Sequence, residues 1–186
     1  MAGTHVALLR GINVGKAKRI AMADLRALVE GLGYRDARTL LNSGNVVFTA
    51  SAAAKGDPAA RIEKAIAATL GVTCRVAVLT AKEVAAIVAK NPLADVADEP
   101  ARLLVTVLRD PADRARLTPF TKQDWAPDAI ALGPPRVAYL WCATGLLESK
   151  LANTVGRALG DGATTRNWAT MAKLHALLAE APARKP

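Results

Sequence analysis

RTLLNSGNVVFTA, residues 38–50, is the stretch on which the fold turns. Two short apolar runs flank Asn42-Ser43-Gly44-Asn45, residue types that tolerate the backbone conformations a chain reversal needs. The stretch reads as a tight hairpin or a bulged strand. Before it, MADLRALVEGLG (22–33) carries apolar residues at 22, 25, 28, 29 and 32, which is helical spacing. Gly33 is placed to end that helix in the left-handed conformation. Earlier still, Val6-Ala7-Leu8-Leu9 is the continuous apolar run of a buried strand. Strand, helix and hairpin thus follow one another.

The segment after the hairpin completes a unit. An Ala/Ser-rich connector, Ser51 to Gly56, leads to Asp57-Pro58, an N-cap and first-turn proline for a helix running to about Leu70. CRVAVL (74–79) is a strand. Thr80 and Glu83 form a capping box for the helix in TAKEVAAIVAK. The order is β-α-β-β-α-β-α. NPLADVADEP (91–100), acidic and bounded by proline, is a linker. RLLVTVL (102–108) then restarts the order, and Asp110-Pro111 opens a short helix. DAIALG (128–133) and RVAYLWC (136–142) flank Pro134-Pro135 as a second hairpin. SKLANTVGRALG (149–160), with Ser149 as its helix-start residue, is amphipathic, with Leu151, Val155 and Leu159 on one face. An extended piece around GATTR precedes a last helix with the stripe Trp168, Met171, Leu174 and Leu178. The expectation is an α+β protein of two ferredoxin-like, split βαβ subdomains, pseudo-duplicated in element order. Their bounds are 1–92 and 102–186 around a linker at 93–101. One continuous mixed sheet is the alternative.

Composition narrows the class. Of 186 residues, 52% are hydrophobic and 22% charged, as in globular proteins with a real core. Aromatics are only 4%, so that core is built of Ala, Leu and Val. Lys and Arg number 25 against 16 Asp and Glu, a formal charge of +9. This favours anionic partners, although a coding bias toward Arg and Ala explains the charge as well. Cys74 and Cys142 lie in apolar runs without metal-ligand spacing, which argues against a disulfide scaffold and for a reducing cytoplasm. The N-terminus has no signal-peptide pattern, and no apolar stretch reaches the roughly 20 residues of a membrane span.

LLRGINVGKAKRI (8–20) places Arg10, two glycines and three further bases just where the first strand ends. It is not a Walker A loop: three residues separate Gly11 from Gly15, Ala17 stands where Ser or Thr is required, and no helix follows directly. Nor does any strand lead into G-x-G-x-x-G. What remains is a loop able to turn backbone N–H groups and the side chains of Arg10, Asn13 and Lys16 toward an anion. Turn geometry with solvated bases is the competing explanation. At 42–45, Asn42, Ser43 and Asn45 serve either a ligand or the turn itself. At 163–171, Thr164, Thr165, Arg166 and Asn167 precede a helix N-terminus, a favourable place for anions; a simple helix cap is the alternative there. His5 and His175 lack ligand partners at i+3 or i+4, so no metal is expected. No G-x-S-x-G elbow supports a catalytic triad. Nucleic-acid binding suits the charge, but the strands lack the aromatic platforms of single-strand binders.

LLRGINVG (8–15), LNSGNVVF (41–48) and TTRNW (164–168), in this order and spacing, resemble the bacterial family called domain of unknown function 1697, and SKL (149–151) fits it as well. The resemblance implies a two-part α+β protein and brings no activity, cofactor or substrate. Two positions depart from the family pattern: Ala169 stands where Asn usually follows RNW, and Lys16 stands where the glycine after Gly15 is usually doubled. The motif positions coincide with the donor-rich, acid-poor loops chosen on chemical grounds. They define an expected anion pocket of Arg10, Asn13, Lys16, Asn42, Ser43, Asn45, Thr165, Arg166 and Asn167 between the halves, for a small phosphorylated or carboxylated ligand. A nucleic-acid-binding module and a non-catalytic interaction module are the alternatives. Neither a reaction nor an oligomeric state can be read from these motifs.

Overall fold

The computed structural model describes residues 3–15, 18–51 and 56–180. Lys16, one of the expected anion ligands, and most of the 51–56 connector lie outside them. The chain divides into two compact units, Met1–Val84 with Leu174–Pro186, and Ala85–Lys173.

In the first unit β1 (Gly3–Arg10), α1 (Met22–Gly31), β2 (Arg35–Leu40), β3 (Asn45–Ala50), α2 (Pro58–Leu70) and β4 (Arg75–Thr80) follow in order. The four strands form one antiparallel sheet in the order β2-β3-β1-β4. Ala7, Leu9, Val46, Phe48 and Val76 point to one face, where Leu25 and Val29 of α1 and Ile62 and Ile66 of α2 complete a core. Val6, Leu8, Val47 and Leu79 are buried on the other face, so these strands read as continuous apolar runs. Helix ends follow the expected chemistry. Asp57 accepts from the Ala59 and Ala60 amides, and Gly71 closes α2 at φ +64°. The Arg61 guanidinium donates to the Leu32 carbonyl at 2.8 Å, beyond the end of α1, and lies over the Tyr34 ring. The hairpin forms as expected, with its bulge in β2 between Arg35 and Arg38, where Asp36 adopts φ +55°.

α3 (Ala81–Ala89) opens with the anticipated capping box: the Thr80 amide donates to Glu83 Oε2 at 2.7 Å, and the Glu83 amide to Thr80 Oγ1 at 3.2 Å. The second unit holds β5 (Leu103–Leu108), a 3₁₀ turn leading into α4 (Arg114–Leu117), β6 (Ala129–Leu132), β7 (Val137–Trp141), α5 (Lys150–Leu159) and β8 (Ala163–Asn167). α6 (Trp168–Ala179) follows. The antiparallel sheet order is β6-β7-β5-β8. Leu151, Val155 and Leu159 of α5 pack with Leu104, Leu108, Ala138, Leu140 and Ala163 on one sheet face. On the opposite face Tyr139 is fully buried and its hydroxyl donates to the Ile87 carbonyl at 2.7 Å. Gly133 in the β6–β7 turn has no room for a Cβ, because the Tyr139 ring occupies that space.

Candidate functional site

The opening loop is a knot tied by one amide. Asn13, at φ +54°, donates from Nδ2 to the Ile20 carbonyl at 3.0 Å and the Asn42 carbonyl at 2.8 Å. Its Oδ1 accepts from the Ile20 amide at 2.9 Å, and its own N–H donates to the Lys18 carbonyl at 3.0 Å. The side chain expected to face an anion therefore holds the loop closed and fastens it to the hairpin turn. Asn45 is fully buried, and its Nδ2 donates to the Leu40 carbonyl at 2.8 Å and to Ser43 Oγ at 3.0 Å. Gly44 sits at φ +77° with its carbonyl accepting from the Leu9 amide; a Cβ there would lie 2.7 Å from Ile12 Cδ1 and 2.8 Å from Leu9 Cβ. Asn13, Asn42, Ser43 and Asn45 thus do meet, in one structural cluster. Arg10 ends β1, half-buried, in register with Arg75 of β4.

The third motif is likewise embedded. Thr165 Oγ1 lies 3.1 Å from Thr106 Oγ1 across the β5–β8 pair. Asn167 Oδ1 accepts from the Thr170 amide at 2.9 Å and caps the first turn of α6. Arg166 donates to the Thr165 carbonyl at 2.9 Å, and burial lowers the pKa of its guanidinium to about 10. Two residues earlier in β8, Thr164 Oγ1 is buried without a hydrogen-bond partner among the described residues. The thiols are poor nucleophiles: burial, with Glu63 adding to it, pushes Cys74 up to about 11, and burial also raises Cys142. Among the described residues no three His, Cys, Asp or Glu side chains cluster as a metal would require.

Several arginines are committed to backbone carbonyls. Arg38 donates to the Leu177 carbonyl, Arg61 to Leu32, Arg102 to Ala143, Arg114 to Gly133 and Arg116 to Ala158, while Arg75 pairs with Glu63. Lys150 and Arg157 differ. They line an open groove of about 470 Å³ together with Trp125, Asn153 and Thr154, and their side chains make no hydrogen bond or ion pair among the described residues. Lys150, Asn153, Thr154 and Arg157 follow i, i+3, i+4, i+7 spacing on α5, on the side away from the buried Leu151, Val155 and Leu159. The groove is built on a firm base. Ser149 caps α5 through the Ala152 amide at 2.9 Å and donates to Asp128 at 2.6 Å, while the other Asp128 oxygen accepts from the Ala143 amide. The Trp125 indole N–H donates to the Phe120 carbonyl at 2.8 Å, and both rings pack on the core beneath. Among the described residues no carboxylate lines the groove.

Sequence reasoning missed this site because Ser149-Lys150 was legible only as a helix start. A signal was present: Lys150 stands in the first turn of α5, where the helix dipole disfavours a cation by about 0.3–1 kcal/mol.

Comparison with known proteins bears on the fold. The structure resembles that of the conserved bacterial protein SP0830 from Streptococcus pneumoniae, with a TM-score of 0.77 and 20% identity over 96% of this chain and 99% of that one. No curated protein matches the chain in sequence. No helix among the described residues is long and apolar enough to cross a membrane. The LLRGINVG and LNSGNVVF motifs lie inside the span matched by a family model, residues 2–138, and SKL and TTRNW lie past it. On that match the chain belongs to the family described as "Protein of unknown function (DUF1697)".

Proposed function

We propose that the protein binds a small anionic ligand, phosphorylated or carboxylated, in the groove along α5. The observation that carries this reading is the pairing of Lys150 and Arg157 over an acid-free groove of about 470 Å³, within the range of small-molecule sites. The alternative location is the set drawn from the motifs, with Arg10 and Arg166 as its cations. The groove is favoured because the amides of Asn13, Asn45 and Asn167 are already engaged with backbone. That same engagement supports the interaction-module reading for the motifs, as residues that shape loops rather than touch a ligand. We further propose that the chain is a pseudo-duplication of two ferredoxin-like halves, with repeat bounds at 1–92 and 102–186 around a linker at 93–101. The matching strand orders, β2-β3-β1-β4 and β6-β7-β5-β8, support this. A cytoplasmic location is supported by two free, buried cysteines.

A thermal-shift comparison of the full chain with phosphate, pyrophosphate and citrate tests the site. An anion at 100 times its Kd adds about 2.7 kcal/mol, several degrees for a chain of this size. The shift is expected to persist in Arg10→Ala and Arg166→Ala and to vanish in Lys150→Ala/Arg157→Ala. Loss in Arg10→Ala with retention in the α5 double variant would place the site at the opening loop. No shift with any anion would sink the reading.

A further inference from the structure

The groove carries more than charge. Trp125 contributes a flat apolar ring, and its one polar group, the indole N–H, is already taken by the Phe120 carbonyl at 2.8 Å. What the indole offers a ligand is therefore ring surface. Its position is fixed from both sides. The ring is tilted against Phe120 with centroids 6.3 Å apart, and the backbone beyond is held by the Asp128 amide donating to the Trp125 carbonyl at 2.9 Å. Such a preset aromatic needs little ordering on binding. Beside it stand an amide at Asn153, a hydroxyl at Thr154 and two cations. Lys150 and Arg157 are two turns apart on the helix, about 10 Å along the axis. Side chains of that length either converge on one phosphate or hold two in succession.

Resting on the anionic-ligand reading, we infer that the groove takes a nucleotide unit, its base against Trp125 and its phosphate between Lys150 and Arg157, with the Thr154 hydroxyl and the amide oxygen of Asn153, whose Nδ2 donates to the Leu147 carbonyl at 3.5 Å, facing polar groups of the sugar or base. A carboxylate metabolite without a ring would use the cations and leave the indole idle. The same chemistry, base plus phosphate, comes from a free nucleotide or from one residue of a single strand, where cations and stacking aromatics combine in this way.

Calorimetric titration of the full chain separates the possibilities, using ribose 5-phosphate, AMP and an adenosine hexanucleotide as probes. AMP is expected to bind roughly tenfold more tightly than ribose 5-phosphate. Trp125→Leu removes that preference and leaves the ribose 5-phosphate affinity, whereas Trp125→Phe, which keeps a ring and guards against simple misfolding, retains most of it. Lys150→Ala/Arg157→Ala weakens both probes. A hexamer that binds more tightly than AMP, with affinity falling steeply in salt, assigns the source as a strand; equal binding assigns the free nucleotide. Equal affinity for AMP and ribose 5-phosphate overturns the nucleotide inference and leaves anion binding intact. Binding of none of the probes removes both.

Discussion

Gly44 carries two constraints at once. Its φ of +77° costs an L-residue about 1–2 kcal/mol, and a methyl group would press on Ile12 and Leu9 at distances no real contact tolerates. Gly11 shares the positive φ, at +72°, but a Cβ there would meet nothing within 4 Å. Gly44→Ala is therefore expected to cost on the order of 3 kcal/mol, lowering Tm by roughly 6–12 °C, against about 1–2 kcal/mol for Gly11→Ala. Thermal melts of the two variants read the difference directly, and equal losses would mean that the Ile12 and Leu9 side chains move aside freely. A turn role for these residues was one of the readings the sequence offered; the particular bonds they make were not legible. The partners of the Asn13 side chain lie 7 and 29 residues away. No local pattern announces an amide that ties a loop to a distant turn.

At the scale of the element, the sequence is read best where the physics is local. Asp57-Pro58, Gly71, the Thr80–Glu83 box and Asp110-Pro111 all end or begin helices as their residue types require. Ser149 shows what such a reading leaves out. Its role as the α5 cap was legible, but not its second bond to Asp128, 21 residues earlier, which joins the cap to the start of β6. Ser149→Ala loses the cap and deprives a partly buried carboxylate of a donor, for an expected cost of about 2–3 kcal/mol. Thr80→Ala removes an exposed cap and is expected to cost about 1 kcal/mol. Urea denaturation of both variants compares them, and equal costs would show that the Asp128 contact adds nothing to α5. The groove itself escaped sequence reading because Trp125 and α5 belong to separate segments that meet only in the folded unit.

Over the whole molecule, burial sets the response to alkali. Cys74 titrates at about 11 in the folded protein against 9 when unfolded, and Tyr139 at about 12 against 10. For both, the native state keeps its proton to higher pH, so their stabilising effect is complete below the unfolded value and declines as pH rises toward the folded one. Arg166 acts in the opposite sense, since the unfolded chain holds that proton longer, but only above about 10. Between pH 9 and 10 the thiols act without that opposition. Stability is expected to fall across this interval and to flatten in Cys74→Ala/Cys142→Ala, as denaturant midpoints at several pH values would reveal; an unchanged slope would assign the decline elsewhere. Element order and the α+β class were legible at this scale because each strand and helix announces itself. The return of the segment from Leu174 to the first unit was not. The bond from Arg38 to the Leu177 carbonyl spans 139 positions of sequence, and the first unit includes Leu174 and beyond. That arrangement sets an order of completion during synthesis. The unit that begins earlier in the sequence is the last for which all parts exist, because its closing segment is translated after the whole of Ala85–Lys173. A growing chain thus carries the whole sequence of a contiguous unit while the earlier one still lacks the segment that begins at Leu174, within α6.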